Sequence, residues 1–154
     1  MPEPIRQGDI PGVQLRCRQL LPIDTETAWS WLTEPVRLTR WLAASARIDP
    51  GPPAILHLET VEEDGTRLRE LGTTLDRDRP RLWSLAFQQP DAGWPAATRL
   101  TFELVPQGDG CELSVLQEGF EHLPLSECLT IWEAYRRRWR KALACLAEEV
   151  GTRS

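Results

Sequence analysis

The pattern of apolar positions near the end of the chain predicts one long α-helix, from Leu125 to Gly151. Apolar residues recur there at steps of three and four, which places them on one face of a helix. The residues on this face are Cys128, Leu129, Trp132, Tyr135, Trp139, Ala142, Leu143, Leu146 and Val150. Ser126 is expected to offer a capping hydroxyl before the first turn, and Gly151 is a typical end. A helix of about 25 residues is about 37 Å long at 1.5 Å per residue, so it needs a broad partner surface.

An alternating pattern predicts a strand near the start of the chain. Val13, Leu15 and Cys17 fall on one face with polar residues between them, and the strand is expected to end at Pro22. Residues 1–12 contain three prolines and two glycines, which is typical of a flexible lead-in. The prediction is therefore a lead-in over residues 1–12 and a single domain over residues 13–151.

Two short helices are predicted after this strand. Asp24 is placed to cap the first, whose residues TETAWSWLT bring Ala28, Trp29 and Leu32 to one face. Pro35 interrupts this helix, and the apolar residues that follow indicate a second short turn of helix.

The middle of the chain predicts consecutive strands joined by tight turns. The strands are expected over Ile55 to Val61, Arg67 to Leu75, Leu82 to Gln88, Thr98 to Val105 and Cys111 to Phe120. Short turns join antiparallel neighbours, and helices grouped apart from the strands indicate an α+β architecture. We therefore expect a curved antiparallel sheet of about six or seven strands wrapped around the long C-terminal helix.

Length and charge narrow the functional classes. The chain has 154 residues, which suits one domain with a sizeable core. Its 18 basic and 23 acidic side chains give a formal net charge of −5. A negative field repels phosphate backbones and anionic lipid, so neither nucleic acid nor a membrane is an expected partner.

The cysteines and the N-terminal residues indicate a reducing compartment. The four cysteines are scattered without a CxxC pair, and they are interpreted as small core residues rather than metal ligands or reactive nucleophiles. The first residues show neither a basic region nor an apolar region of the kind that directs secretion. The prediction is a cytoplasmic protein.

Several local motifs then coincide in an order that resembles a known superfamily. In chain order they are Leu21-Pro22-Ile23-Asp24, Ala28-Trp29, Leu32-Thr33-Glu34-Pro35, Arg40-Trp41-Leu42, Gly72 before Pro80, Gly110-Cys111-Glu112-Leu113, Gly119-Phe120, and Tyr135 with Trp139. Together they resemble the START-like, helix-grip (SRPBCC) superfamily, and within it the branch homologous to the C-terminal domain of heat-shock chaperone ATPase activators. The resemblance spans about residues 13 to 150.

The resemblance implies a sheet gripping the long helix, two short helices closing one end, and an interior cavity. Members of the superfamily mostly bind apolar or amphipathic small molecules, and some branches, such as polyketide cyclases and aromatases, act on what they bind. The sequence departs from the branch at Gln117, where His or Glu is frequent, and at Cys111, where Thr is usual. A proton-transfer role tied to these positions is therefore not implied.

Two polar residues in the predicted strands are candidates for the cavity. His57 faces the cavity if its side of the strand is concave, where it would orient a ligand or move a proton. It faces water if Leu56 and Leu58 point inward instead. Glu70 is either a cavity acid with a raised pKa or a cross-strand partner of nearby arginines, Arg67 or Arg69.

Large aromatic side chains are the other candidates for ligand contact. The chain has seven tryptophans, which fill space between a curved sheet and a helix and whose N–H groups need partners. The predicted ligand-binding residues are Trp41, His57, Glu70, Trp83, Gln117, Trp132, Tyr135 and Trp139. For Trp132, Tyr135 and Trp139, core packing and ligand contact both remain open.

Other kinds of site find no support in the sequence. Two distant histidines without HxH or HExxH spacing argue against a metal, and no GxSxG elbow, GxGxxG or GxxxxGK motif indicates a nucleophile or a nucleotide cofactor. No cofactor and no metal are expected. The basic run at residues 136–141 is interpreted as a solvated helix face with Glu133 paired to Arg136 or Arg137.

Three functional hypotheses follow. The first is a non-enzymatic protein, monomeric or homodimeric, that binds a hydrophobic or amphipathic small molecule in its cavity. The second is a cyclase or hydrolase that uses His57, Glu70 or Gln117 in the same cavity, which requires at least two of these side chains in one pocket. The third is a chaperone-interacting module, which requires an exposed patch and no cavity.

Overall fold

The computed structural model describes residues 13–151, and the predicted lead-in at residues 1–12 lies outside them. The strands are β1 (Gln14–Leu21), β2 (Ser45–Asp49), β3 (Ile55–Val61), β4 (Arg67–Asp78), β5 (Leu82–Gln88), β6 (Thr98–Gln107) and β7 (Gly110–Glu118). The helices are α1 (Thr25–Thr33), α2 (Pro35–Leu38) and α3 (Leu125–Gly151), with a 3₁₀ turn at Phe120–His122. The predicted α+β fold, a sheet gripping the long helix, is confirmed.

The strands form one seven-stranded antiparallel sheet in the order β1-β7-β6-β5-β4-β3-β2. Hairpins place sequence neighbours side by side, and β1 completes the order by pairing with β7, from Gln14 opposite Glu118 to Leu21 opposite Cys111. A shift in register between Thr74 and Asp76 interrupts the β4 pairing with β5. Irregularities of this kind bend a strand and increase its twist, which helps the sheet to curl around α3.

The strand β2 is the element that the sequence pattern does not predict. Its five residues alternate polar and apolar, but only two of them are apolar, Ala46 and Ile48, and these are only partly buried against the core. It lies at the edge of the sheet and pairs with β3, with Ala46 opposite Leu58. A short edge strand carrying Arg47 and Asp49 is a common way to protect a sheet edge from further pairing.

The short helices begin as their sequence predicts. The Asp24 side chain accepts a hydrogen bond of 2.8 Å from the Thr27 backbone N–H and caps α1. The α1 face contributes Trp29, Trp31 and other apolar side chains to the core. Pro35 begins α2, a position where its missing N–H is not needed.

The buried face of α3 matches the prediction except at one residue. Leu129 is 62% exposed, although its apolar neighbours on the predicted face are buried. Since each helical residue rotates by about 100°, Leu129 lies about 100° around the helix from Cys128 and falls outside the stripe that faces the sheet. The helix also begins at Leu125, so Ser126 lies inside the first turn rather than before it.

A chain of buried polar groups connects α3 to three strands. The Trp139 indole N–H donates to Gln117 Oε1 at 2.9 Å, and the Gln117 amide donates to Thr98 Oγ1 at 3.1 Å. The Thr98 hydroxyl donates in turn to the Phe87 carbonyl at 2.7 Å. These side chains are almost completely buried, so the chain satisfies groups that would otherwise be costly to remove from water.

Within residues 13–151, no helix combines the length and the apolar character needed to cross a membrane.

The Gln117 network predicts a stability effect. Gln117→Leu leaves the buried Trp139 N–H without an acceptor, which costs about 2 kcal/mol of unfolding free energy. We expect a melting temperature lower by about 4–8 °C for a chain of this size. Urea unfolding followed by tryptophan fluorescence measures the loss of unfolding free energy. The control is Gln107→Leu at an exposed position, expected within about 0.5 kcal/mol of the wild type. Equal stability of both variants contradicts the role of the network.

Gly110 predicts a second effect, because it makes room for the end of β1. A Cβ atom built at Gly110 would lie 2.1 Å from the Leu21 carbonyl oxygen, which is backbone and cannot rotate away. We expect Gly110→Ala to cost about 1–3 kcal/mol in the same unfolding measurement. Gly151→Ala is the control, because nothing lies within 4 Å of a Cβ there. A Gly110→Ala variant as stable as this control would contradict the prediction, because the end of β1 would then move away from residue 110 without a loss of stability.

Candidate functional site

A pocket of about 630 Å³, partly open to solvent, lies between α3 and the end of the β3–β4 hairpin. Its residues come from four places: the segment after α2, the hairpin, the residue after β5 and one side of α3. They are Trp41, Leu42, Thr60, Val61, Glu62, Glu63, Leu68, Gln89, Ala134, Tyr135, Arg137, Arg138, Lys141, Ala142 and Cys145. This pocket lies at one side of the grip, beside the β2 edge of the sheet, and the predicted interior cavity stays a prediction.

Local backbone geometry positions the pocket walls. The hairpin turn is closed by a 2.8 Å hydrogen bond from the Glu62 N–H to the Thr66 carbonyl, and Gly65 takes a φ of 88° that favours glycine. The turn brings Leu68 on β4 back beside the end of β3. On α3 the lining residues recur at helical spacing, so about three turns of the helix form the opposite wall.

A cluster of four polar side chains lies against the pocket at its inner end. Glu70 on β4 is only 2% exposed, and its Oε2 accepts hydrogen bonds from the Tyr135 hydroxyl at 2.5 Å and from Arg138 Nη1. Gln89 Nε2 donates to the Tyr135 oxygen at 2.9 Å. Because Tyr135, Arg138 and Gln89 line the pocket and Glu70 lies behind them, we call these four residues the pocket floor.

The pocket floor holds Tyr135 and Arg138 in their protonated forms. Burial, together with the charge of Glu70, raises the pKa of Tyr135 well above its usual value. Burial alone would lower the pKa of Arg138, but the charge and hydrogen bond of Glu70 outweigh it and raise the pKa. Tyr135 is therefore a neutral donor and Arg138 a permanent cation beside the Glu70 carboxylate.

Not every polar atom in the pocket floor has a partner. Within residues 13–151, Glu70 Oε1 and Arg138 Nε are buried without a hydrogen bond. Within the described part of the chain, Arg138 Nη2 makes only long contacts, 3.3 Å to Thr60 Oγ1 and 3.4 Å to the Leu42 carbonyl. The Glu70–Arg138 pair is thus joined through one oxygen and one nitrogen rather than through two parallel bonds.

The pocket mouth carries charges of both signs on opposite walls. Arg137 and Lys141 lie on α3, and Glu62 and Glu63 lie on the hairpin turn. Among the residues that the structure describes, none of these four side chains forms an ion pair within 4 Å. The mouth is therefore balanced in charge without being internally paired.

Two of the eight predicted ligand-binding residues line the pocket directly, and a third supports its floor. Trp41 and Tyr135 line it, and Glu70 lies behind Tyr135. The Trp41 indole N–H donates to the Trp31 carbonyl at 3.1 Å, which fixes the ring against α1. Tyr135 also packs edge-on against Phe87 and Trp94.

Four other predicted residues belong to the packed core and do not line this pocket. Trp83 donates to Thr74 Oγ1 at 3.0 Å, and Trp132 donates to the Gln14 carbonyl at 2.8 Å. Trp139 and Gln117 hydrogen bond to each other and are completely buried. Trp132 and Trp139 therefore pack in the core and do not line this pocket.

His57 lies on the outer face of the sheet. Its strand neighbours Leu56 and Leu58 are buried, whereas His57 is partly exposed and contacts Asp49 Oδ2 at 2.9 Å through Nε2. The alternative in which His57 faces the cavity is thus wrong, because the pleat of β3 turns its apolar residues inward. His57, Glu70 and Gln117 lie in three separate environments and do not form the common pocket that the enzyme hypothesis requires.

The partner of Glu70 also differs from the prediction. Arg67 pairs with Glu59 and Arg69 with Asp91, while Glu70 pairs with Arg138 of α3. Arg138 belongs to the basic run interpreted as solvated, and for this residue that interpretation is wrong. The available signal was its position three residues after Tyr135, which puts both side chains on neighbouring parts of the helix surface. The predicted Glu133–Arg136 pair is present at 3.7 Å.

The thiols do not suggest reactive chemistry. Cys17, Cys111 and Cys128 are buried, as expected of small core residues. Cys145 lines the pocket, but burial and then the nearby glutamates raise its pKa, so the nucleophilic thiolate is disfavoured. Across residues 13–151, no three His, Cys, Asp or Glu side chains are grouped as a metal site requires.

Solved structures share this fold at low sequence identity. Protein Ms6760 from Mycobacterium smegmatis has a TM-score of 0.76 over 93% of this chain and 94% of its own, at 10% identity. Protein CV1439 from Chromobacterium violaceum has a TM-score of 0.73 over 89% and 96%, at 22% identity. An HSP90 activator from Plasmodium falciparum has a TM-score of 0.70 over 90% and 96%, at 16% identity. These similarities concern the fold alone.

The sequence also identifies the family of the chain, beyond its fold. No curated protein matches the sequence significantly. The sequence profile described as Activator of Hsp90 ATPase homolog 1-like protein matches residues 22–147. This match covers most of the chain and confirms the resemblance carried by its motifs. The chain therefore belongs to the family of Activator of Hsp90 ATPase homolog 1-like proteins.

Proposed function

We propose that the protein binds a small apolar or amphipathic molecule in the pocket between α3 and the β3–β4 hairpin. The observation that carries this proposal is a pocket of about 630 Å³ that combines apolar walls with a polar floor. Pockets of a few hundred Å³ with mostly apolar walls and a few convergent polar groups are typical of small-molecule sites. The apolar contacts supply affinity, and the polar groups fix orientation.

The groups at the pocket floor support binding rather than catalysis. Tyr135 and Arg138 both have raised pKa values, so neither accepts a proton near neutral pH. Glu70 has its Oε2 engaged by both of them and lies behind the pocket surface. Positioning without proton transfer is the role that fits this arrangement.

A chaperone-binding role is the second candidate, supported by an exposed apolar pair on α3. Leu125 and Leu129 are 93% and 62% exposed and lie one turn apart on the helix. Exposed leucines at this spacing are typical of a protein contact. This role ranks second because it accounts for the leucine pair but leaves the pocket without a function.

The binding proposal predicts a copurified ligand and stabilisation of the protein by an added one. Protein purified from its own host is expected to show an adduct by native mass spectrometry that is lost on denaturation. Decanol at about 100 times its dissociation constant is expected to raise the melting temperature by about 5–10 °C, because bound ligand then stabilises the fold by about 2.7 kcal/mol.

A matched pair of variants localises this binding. Ala134 and Ala144 are both exposed on α3, but only Ala134 lines the pocket. Ala134→Trp is expected to fill the pocket and weaken decanol binding about tenfold, whereas Ala144→Trp leaves it unchanged. A clean apo mass together with no stabilisation by decanol contradicts the proposal.

The chaperone candidate predicts a separate result. If the leucine pair contacts an Hsp90-type chaperone, the protein should raise the ATPase rate of the purified chaperone. The double variant Leu125→Ser with Leu129→Ser should remove most of this stimulation, and Ala134→Trp should not. An ATPase rate unchanged by the wild-type protein eliminates this candidate and leaves the binding proposal intact.

A further inference from the structure

We infer that the pocket selects ligands whose polar head is uncharged, an alcohol or a carbonyl, over carboxylates and ammonium ions of the same size. This inference rests on the proposed function and adds the ligand class to it. It follows from how the charges of the pocket floor and mouth are arranged.

The pocket floor cancels its own charge. Glu70 has no exposed side-chain surface, and Arg138 is 16% exposed. The two groups form an ion pair, to which Tyr135 adds a neutral hydrogen bond. A ligand that reaches the floor therefore meets a compensated pair instead of a free cation or a free carboxylate.

A charged ligand at the pocket floor would disturb this ion pair. A carboxylate that approached Arg138 would also lie near Glu70, a like charge in a site of low dielectric. If it displaced Glu70 from Arg138, it would leave a buried carboxylate without its cation, which is strongly unfavourable. An ammonium head meets the same difficulty with the two roles exchanged.

The pocket mouth adds no preference for ligands of either charge. Its cations, Arg137 and Lys141, are matched in number by its carboxylates, Glu62 and Glu63. All four lie at an open mouth, where water and salt screen their fields. Long-range attraction therefore does not reverse the preference set at the floor.

Neutral groups are left to make hydrogen bonds at the pocket surface. Gln89 uses one amide hydrogen on Tyr135, which leaves its carbonyl oxygen and its second amide hydrogen. Among residues 13–151, Thr60 Oγ1 accepts only the long contact from Arg138, so its hydroxyl hydrogen is available to a ligand. These groups suit a hydroxyl or a carbonyl.

The apolar part of the ligand has a matching surface. Trp41, Leu42, Leu68 and Ala142 line the pocket from both sides. Each CH₂ group that they remove from water tightens binding about fourfold. A chain or ring system with one neutral polar head is the ligand that uses both surfaces.

The test compares three probes that differ only in their head group: decanol, decanoate and decylammonium. Their binding to the wild-type protein is measured by isothermal titration calorimetry at pH 7, below their aggregation limits. We expect decanol to bind at least about tenfold more tightly than either charged probe. Decanoate or decylammonium binding as tightly as decanol overturns the inference.

Two variants with the same change in charge separate the pocket floor from the mouth. Glu70→Gln keeps the shape of the floor but leaves the charge of Arg138 uncompensated. Decanoate should therefore bind this variant at least about tenfold more tightly than it binds the wild type. The affinity for decanol should change less than about threefold. Glu63→Gln removes one carboxylate at the open mouth and should change decanoate binding less than about threefold. An unchanged decanoate affinity in folded Glu70→Gln overturns the inference.

The outcomes also distinguish this inference from the proposed function. Binding of all three probes without preference for decanol overturns the inference alone and leaves a pocket that binds amphipathic molecules. Absence of binding by all three overturns both. If Glu70→Gln does not fold, as its circular dichroism spectrum would show, the comparison of probes on the wild-type protein still decides.

Discussion

The burial of one face of α3 against the concave side of the sheet is the interaction on which the rest of the structure depends. Eight residues of this helix are buried, including Trp132, Tyr135 and Trp139. Each large apolar side chain contributes about 1.5–3 kcal/mol when it is fully buried, so this face outweighs any other single element of the fold. The sheet must therefore curl, and each strand must turn its apolar residues toward the helix.

Filling this interface with indole and phenol rings has a consequence for where a ligand can bind. Buried rings with an N–H or O–H group usually have an acceptor, and the acceptor for Trp139 is Gln117 on β7. The middle of α3 is thereby fixed to the sheet, with Phe102 packed edge-on against Trp139 at 5.9 Å. Space for a small molecule is found to one side, where the β3–β4 hairpin diverges from the helix.

Tyr135 is the residue where packing and the pocket meet. Its ring packs on Phe87 and Phe120 in the core, and its hydroxyl joins the charged pair Glu70 and Arg138. A buried ion pair contributes little to stability compared with an apolar replacement, so its presence asks for another explanation. One explanation is that the ion pair controls which head groups enter the pocket, which links the pair directly to the proposed function.

The sequence by itself determined the elements and their order. Helical spacing located α3 apart from its first turn, Asp24 marked the start of α1, and alternation with tight turns indicated the antiparallel sheet, because these signals depend on local backbone geometry. The strand β2 was not predicted because its alternation rests on only two apolar side chains, Ala46 and Ile48, neither of them fully buried. The motifs in their order also indicated the family.

Only the tertiary structure decided which candidate residues share a site. The sequence singled out Glu70 and Tyr135, yet they stand 65 residues apart, and Arg138, 68 residues from Glu70, was interpreted as a solvated charge. The direction of His57 depended on which face of β3 packs against the core. Local patterns specify the face of a strand or helix relative to its own neighbours, whereas the contacts between distant faces follow from how the sheet curls around the helix.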